Sequence, residues 1–436
     1  MKKSSFAILM ITVFCLLLSN TTFAEKEAST TSSSVNVYVP EPYTPHSSSM
    51  LATDLKSGIV LYEQNPHMQF SPGSLTRIVT AIVAIENCED LNRTITVPET
   101  ILDGFDYDKY NIGLKYGETL SVKNLIESML IHDAGDCAIV LGHTILNSNS
   151  EFVKQMNVTA SKCGAKNTHF ADTTGFNTTS SHTTLSDMEA IAKYAIQNEA
   201  FASIVSKEKT EISATNKYSN KRILYNTNNF ISTYYSDKYY NSKIKGIKNY
   251  YNSADDCGCV TLYSDGQNNM LLLCAKSDSD GDLNYSYEDI DFLIDYSLKN
   301  FSDVSIVKKS EFLSEVKIYN GDDAKRLLLV SDSELVYKLP VNYDKSKIER
   351  RTTVNSNIKA PVKKGEILGK TEVYYNGTKC GEVNLVAYAA LDSDTLAYIK
   401  HIIGSIVTSG YFITALILLV VLFIIRTINI NRRKKK

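Results

Sequence analysis

An α/β (α+β) body followed by a small all-β domain and a C-terminal transmembrane helix is the architecture this 436-residue chain predicts. Three observations carry it. Between residues 49 and 301, strand patterns flank and follow helical ones. From 302 to 395 only short β patterns with turn signals remain. From Ile402 to Ile425 the chain is almost continuously apolar, long enough to cross a bilayer core of about 30 Å.

In chain order, residues 1–24 read as a secretory leader. Lys2 and Lys3 give the basic start, Phe6 to Leu18 the apolar core, and Thr22-Phe23-Ala24 a small-residue cleavage site. Residues 25–48, rich in Ser, Thr and Pro, read as a spacer. Met50 to Asp54 and Ile59 to Tyr62 flank Lys56-Ser57-Gly58, a hairpin signal. Leu75 to Ile85 is an apolar helical pattern, Val122 to Leu146 a helix pair, and Leu185 to Ala195 an amphipathic helix. Val260 to Tyr263 and Met270 to Lys276 pair across Asp265-Gly266-Gln267-Asn268, and Tyr287 to Phe301 closes the body as a helix. In the β-domain, Leu327 to Val330, Leu335 to Leu339, Thr371 to Tyr375 and Glu382 to Ala387 read as strands, with Asn376-Gly377 a hairpin turn. The span at 402–425 precedes the basic tail 426–436. Positive charge after a span stays cytoplasmic, so the body is expected outside the cell membrane as a single-pass protein.

A net charge of −2, with no basic block outside the tail, gives no sign of nucleic-acid binding, and no nucleic-acid partner is expected. Removing Cys15 with the leader leaves seven cysteines, too sparse for a disulfide scaffold. Cys137, Cys163 and Cys274 lie in apolar patterns and read as small buried hydrophobes. Cys257-Gly258-Cys259 lacks the His/Cys companions a metal site needs, so no metal and no cofactor are expected.

The chemistry-bearing segment is Ser71-Pro72-Gly73-Ser74-Leu75-Thr76-Arg77. A serine three residues before a lysine, S-x-x-K, puts nucleophile and base on one helical face. Here Arg77 takes the lysine position, and a guanidinium does not give up its proton in a protein. Together with Asp54 to Gly58, Leu114-Lys115-Tyr116-Gly117-Glu118, Lys166 to Phe170, His182-Thr183-Thr184, Asn226-Thr227-Asn228 and Lys364 to Gly369, this segment resembles the serine D-alanyl-D-alanine carboxypeptidases. These are the low-molecular-mass penicillin-binding proteins that trim peptidoglycan stem peptides. The resemblance spans roughly residues 48 to 390. It implies a penicillin-binding, serine β-lactamase-like domain with a central antiparallel sheet.

The resemblance also places two further motifs. The family's S-x-N falls at Asp133-Ala134-Gly135, where its proton-shuttling Ser and substrate-holding Asn are both replaced. The family's K-T-G falls at Lys248-Asn249-Tyr250. Lys248 survives as a cleft cation suited to a terminal carboxylate, with a solvated lysine the equal alternative. Tyr250 stands where the family has Gly, and either fills the substrate's space or lies on the other face of the strand. Ser74, Arg77 and Asp133 are thus the catalytic positions, and Gly135, Lys248, Asn249 and Tyr250 the substrate-binding ones. Arg77 and Asp133 face each other in the family, which predicts an ion pair across the centre. His132, beside Asp133, offers a rebuilt Ser-His-Asp set or a packed histidine. The Tyr-rich run from Tyr218 to Tyr251 offers glycan stacking or packing.

Three functions follow. The first is a weak or inactive pseudoenzyme holding a peptidoglycan stem peptide or envelope protein. The second is an active carboxypeptidase acylated at Ser74. The third is a structural envelope protein docking a partner.

Overall fold

The computed structural model describes residues 43–107, 110–280, 283–320, 323–392 and 395–433. The expected leader, most of the spacer and the last three lysines of the tail lie outside the described residues. The first domain is built on a five-stranded sheet in which every neighbouring pair is antiparallel. Its strands are β1 (Ser47–Asp54), β2 (Val60–Gln64), β3 (Ile244–Ser253), β4 (Asp256–Ser264) and β5 (Asn269–Ser277), in the order β2-β1-β5-β4-β3. β3 is therefore an edge strand. The β1–β2 and β4–β5 hairpins follow the turn signals in the sequence. The domain begins earlier than the expected end of the spacer. Tyr43 already stacks on Phe292 at 4.3 Å and donates to Asp289 at 2.7 Å.

One helix runs through the core. In α1 (Thr76–Glu86) every residue from Thr76 to Ala84 is buried, including Arg77. A helix apolar on nearly all sides must be enclosed on all sides. Enclosing it are α2 (Val122–Ile131), α3 (Gly135–Thr144), α4 (Asn149–Lys162), α5 (Leu185–Ala195) and α6 (Glu199–Val205). Ser121, Ser148, Thr184 and Asn198 cap α2, α4, α5 and α6 by accepting backbone N–H groups of the first turn. α7 (Ser286–Asn300) packs on the other face of the sheet, against β4 and β5.

The second domain is all β. β6 (Phe301–Val307) pairs with β9 (Leu335–Pro340). β7 (Phe312–Asn320), β8 (Asp323–Ser331), β10 (Ile348–Val354), β11 (Ile367–Tyr375) and β12 (Thr378–Ala387) form a sheet in the order β7-β8-β12-β11-β10. Beyond it, the single helix expected over Ile402–Ile425 is two helices, α8 (Thr395–Val407) and α9 (Gly410–Arg433). Thr408 and Ser409 turn their hydroxyls onto the carbonyls of Gly404 and Ile406, and Ser409 Oγ also accepts Phe412 N–H. A capping serine thus starts a new helix and moves the apolar stretch that is long enough to span a membrane to Gly410–Asn429.

Candidate active site

The Ser74 segment enters the core through a single 3₁₀ turn, Gly73–Leu75, that leads directly into α1. The spacing puts Ser74 and Arg77 on one face. Ser74 Oγ is half-buried and donates to the backbone carbonyl of Asn249 on β3, at 3.2 Å. Among the described residues, no hydrogen bond joins it to Arg77, Asp133, Lys248 or His132.

Asp133 sits in the turn between α2 and α3 at φ +62°, a left-handed conformation that short polar side chains tolerate. That turn aims its carboxylate at α1. Arg77 Nη1 lies 2.7 Å from Asp133 Oδ1, the ion pair expected from the sequence, and also bonds the Asp133 carbonyl. The sequence did not reveal the third member. Lys248 Nζ reaches the same Oδ1 at 2.6 Å. Arg77 and Lys248 are each 1% exposed and Asp133 17%. The reading of Lys248 as a solvated lysine is thereby corrected, because the edge strand turns it inward onto the carboxylate.

The electrostatics follow from this closure. Burial alone would push the Asp133 carboxyl up. The Arg77 and Lys248 cations outweigh burial and hold it below the ordinary carboxylate value. Burial pulls Lys248 below the ordinary lysine value, with Arg77 adding repulsion and Asp133 only partly compensating. Arg77 is further fixed by donating from Nε to Thr174 O at 2.9 Å, with its guanidinium 5.2 Å from the Phe176 ring centroid.

Phe176 was invisible to sequence reasoning. It belongs to the loop 172–177, which Asp172 folds by accepting N–H groups from Thr174, Gly175 and Asn177. A Cβ on Gly175 (φ +79°) would stand 1.8 Å from Gly73 O, so only glycine lets this loop rest on the Ser74 turn. Phe176 then fills the space in front of Gly135. A Cβ at position 135 would lie 2.5 Å from the ring.

The remaining positions are occupied too. Asn249 exchanges weak side-chain contacts with Thr227, at 3.4 Å and 3.3 Å. Tyr250, for which two placements were open, is 1% exposed and part of the core. It stacks against Phe70 at 5.8 Å, bonds Asp256 at 3.1 Å, and lies across Gly258 of β4, where a Cβ would approach its ring to 2.7 Å. His132 caps α2 and places Nδ1 3.2 Å from Tyr225 O, which excludes a Ser74-His132-Asp133 relay in this arrangement. Cys257 and Cys259 are buried free thiols. Among the described residues, no group of three or more His, Cys, Asp or Glu side chains is placed to hold a metal.

Comparison with known proteins agrees with this fold. A family profile described as D-alanyl-D-alanine carboxypeptidase matches residues 36–254, and one described as penicillin-binding protein 5, C-terminal domain, matches 301–393. D-alanyl-D-alanine carboxypeptidase DacF of Bacillus subtilis is 22% identical over 387 residues, covering 88% of this chain and 94% of that protein. DacD of Escherichia coli is 24% identical over 350 residues, covering 77% and 84%. The crystal structure of penicillin-binding protein 5 from Haemophilus influenzae superposes with a TM-score of 0.58 at 21% identity, covering 81% of this chain and all of that one. A profile matching half the chain, with its companion domain following in order, establishes that this protein belongs to the D-alanyl-D-alanine carboxypeptidase family of low-molecular-mass penicillin-binding proteins.

Proposed function

We propose that this family member is a membrane-anchored pseudoenzyme, weak or inactive as a carboxypeptidase, that holds cell-wall peptide or an envelope protein at peptidoglycan. One observation carries the reading. Arg77 and Asp133, at catalytic positions, and Lys248, at a substrate-binding one, are closed on one another, with both cations withdrawn from solvent.

A serine hydroxyl needs a base within hydrogen-bond reach before it attacks a carbonyl. Arg77 keeps its proton. Asp133 is held ionised by two cations, which weakens it as a base, and its contacts run to them rather than to Ser74. Lys248 spends its amine on Asp133. Loss of general-base catalysis alone costs about 10² to 10⁴ in rate. Phe176 in front of Gly135 removes room for an amide-holding side chain, which compounds the loss. Anchoring is supported by the apolar helix Gly410–Asn429 and the arginines and lysines that follow it.

The test is acylation of the full-length protein, in detergent, by a fluorescent penicillin, with Ser74→Ala as control. The expected result is no Ser74-dependent label, together with saturable binding to peptidoglycan sacculi. Covalent labelling that disappears in Ser74→Ala would overturn the reading and restore an active carboxypeptidase.

A further inference from the structure

Beside the filled centre stands a group of aromatic side chains that the ion-paired site does not use. Tyr225 and Tyr234 stack at 3.7 Å with their rings 8° from parallel. Tyr235 meets Tyr234 edge-on at 5.0 Å, and Tyr110 meets His132 edge-on at 6.3 Å. Burial, then the Tyr110 and Tyr234 phenols, raise the Tyr235 hydroxyl above its ordinary value. Packing accounts for the half-buried Tyr225 and His132. Tyr110, Tyr234 and Tyr235 still present much of their surface to solvent, at 55%, 59% and 48% exposed.

The cluster is fixed to the site by backbone. Gly135 N–H donates to Tyr110 O at 2.9 Å, and Thr227 N–H to Ile131 O at 3.0 Å. Asn249 Nδ2 reaches Thr227 O. The rings therefore extend outward from the segments that carry Asp133, Gly135 and Asn249. Because Tyr234 is held between the stacked Tyr225 and the edge of Tyr235, little rotamer freedom is left for it to lose on binding.

We propose that this tyrosine platform is a binding site for a glycan strand, a chain of β-linked N-acetylated amino sugars. A pyranose presents an apolar C–H face with a rim of hydroxyls, and a tyrosine presents an apolar face with a hydroxyl at its tip. The surroundings are polar rather than greasy. Between residues 226 and 250, among the described residues, the exposed large hydrophobics are Tyr234, Tyr235 and Tyr240 alone, interspersed with Thr233, Ser236, Asp237 and Lys238. An uncharged, hydroxyl-rich ligand fits this surface better than an aliphatic protein face. The choice of sugar polymer rests on the peptidoglycan reading above.

The experiment measures binding of the full-length protein, in detergent, to two probes: glycan strands stripped of stem peptides, and a free stem pentapeptide. The native chain is expected to bind peptide-free strands saturably. Tyr234→Ala/Tyr235→Ala should lower that affinity about tenfold or more, while Tyr234→Phe/Tyr235→Phe keeps most of it. Glycan binding without pentapeptide binding supports the platform while removing the peptide-holding reading. Three results would sink the platform: no binding of stripped strands by the native chain, equal binding by the alanine double variant, or capture of an envelope protein in place of glycan.

Discussion

At Asp133 one carboxylate serves two buried cations, and the energetics of the site turn on that imbalance. A buried ion pair adds little net stability, since desolvation offsets the attraction, but removing one partner strands the other. Asp133→Asn strands both Arg77 and Lys248. It is expected to lower stability by about 3–5 kcal/mol, read from the denaturant midpoint. The pH dependence has a defined sign. Because the folded carboxyl ionises below its ordinary value of 3.8, its contribution is complete above that value and is lost as pH falls through the lowered one. The native chain should therefore lose stability in acid, below about pH 4, with a component absent from Asp133→Asn. Identical acid profiles for the two proteins would contradict this account. The Arg77–Asp133 pair is legible in the sequence because two opposite charges appear together at facing family positions. The inward turn of Lys248 is not, since it depends on where a distant edge strand settles.

Among the elements, the loop 172–177 governs what the site admits. The Asp172 bonds fold it, and the absence of a side chain at Gly175 lets it rest on the Ser74 turn. It delivers Phe176 onto Arg77 and Gly135. Gly135→Asn, the family-type residue, should cost about 1–3 kcal/mol through collision with the ring. In a double-mutant cycle with Phe176→Ala, the combined loss should fall short of the sum of the single losses by about 1 kcal/mol or more. Strict additivity in thermal melts would show that the ring does not occupy that space. No local sequence signal marks Phe176, because its role arises where a loop meets two helices. Local signals did reveal the β1–β2, β4–β5 and β11–β12 hairpins, the bounds of α5 and the general course of α1. They missed α4, whose exposed face is largely polar, and β10, whose residues are mostly exposed and so show no apolar alternation.

At the scale of the whole molecule, Lys338 of β9 links the two domains. Its ammonium, 5% exposed, lies 3.5 Å from Asp54, 3.2 Å from Asp303 and 2.6 Å from Asn268. Lys338→Met should lower stability by about 3 kcal/mol, the low end for a broken buried pair, since Asp54 keeps its bonds from Ser57. Calorimetry should then resolve two transitions where the native chain shows one. A single unshifted transition would rule out this coupling. The closed centre has a further consequence, for the routes by which the chain can change. A serine at 133 leaves two cations facing each other. A lysine at 77 gives up the hold on Thr174 and Phe176, and an asparagine at 135 strikes the ring. Against the 5–15 kcal/mol that typically holds a folded protein together, each step taken alone is a large loss. Single substitutions toward the family's own residues at these positions therefore cross a trough of poorly folded sequences. Drift is channelled to the surface, and the arrangement behind Ser74 persists whether or not selection still acts on the chemistry.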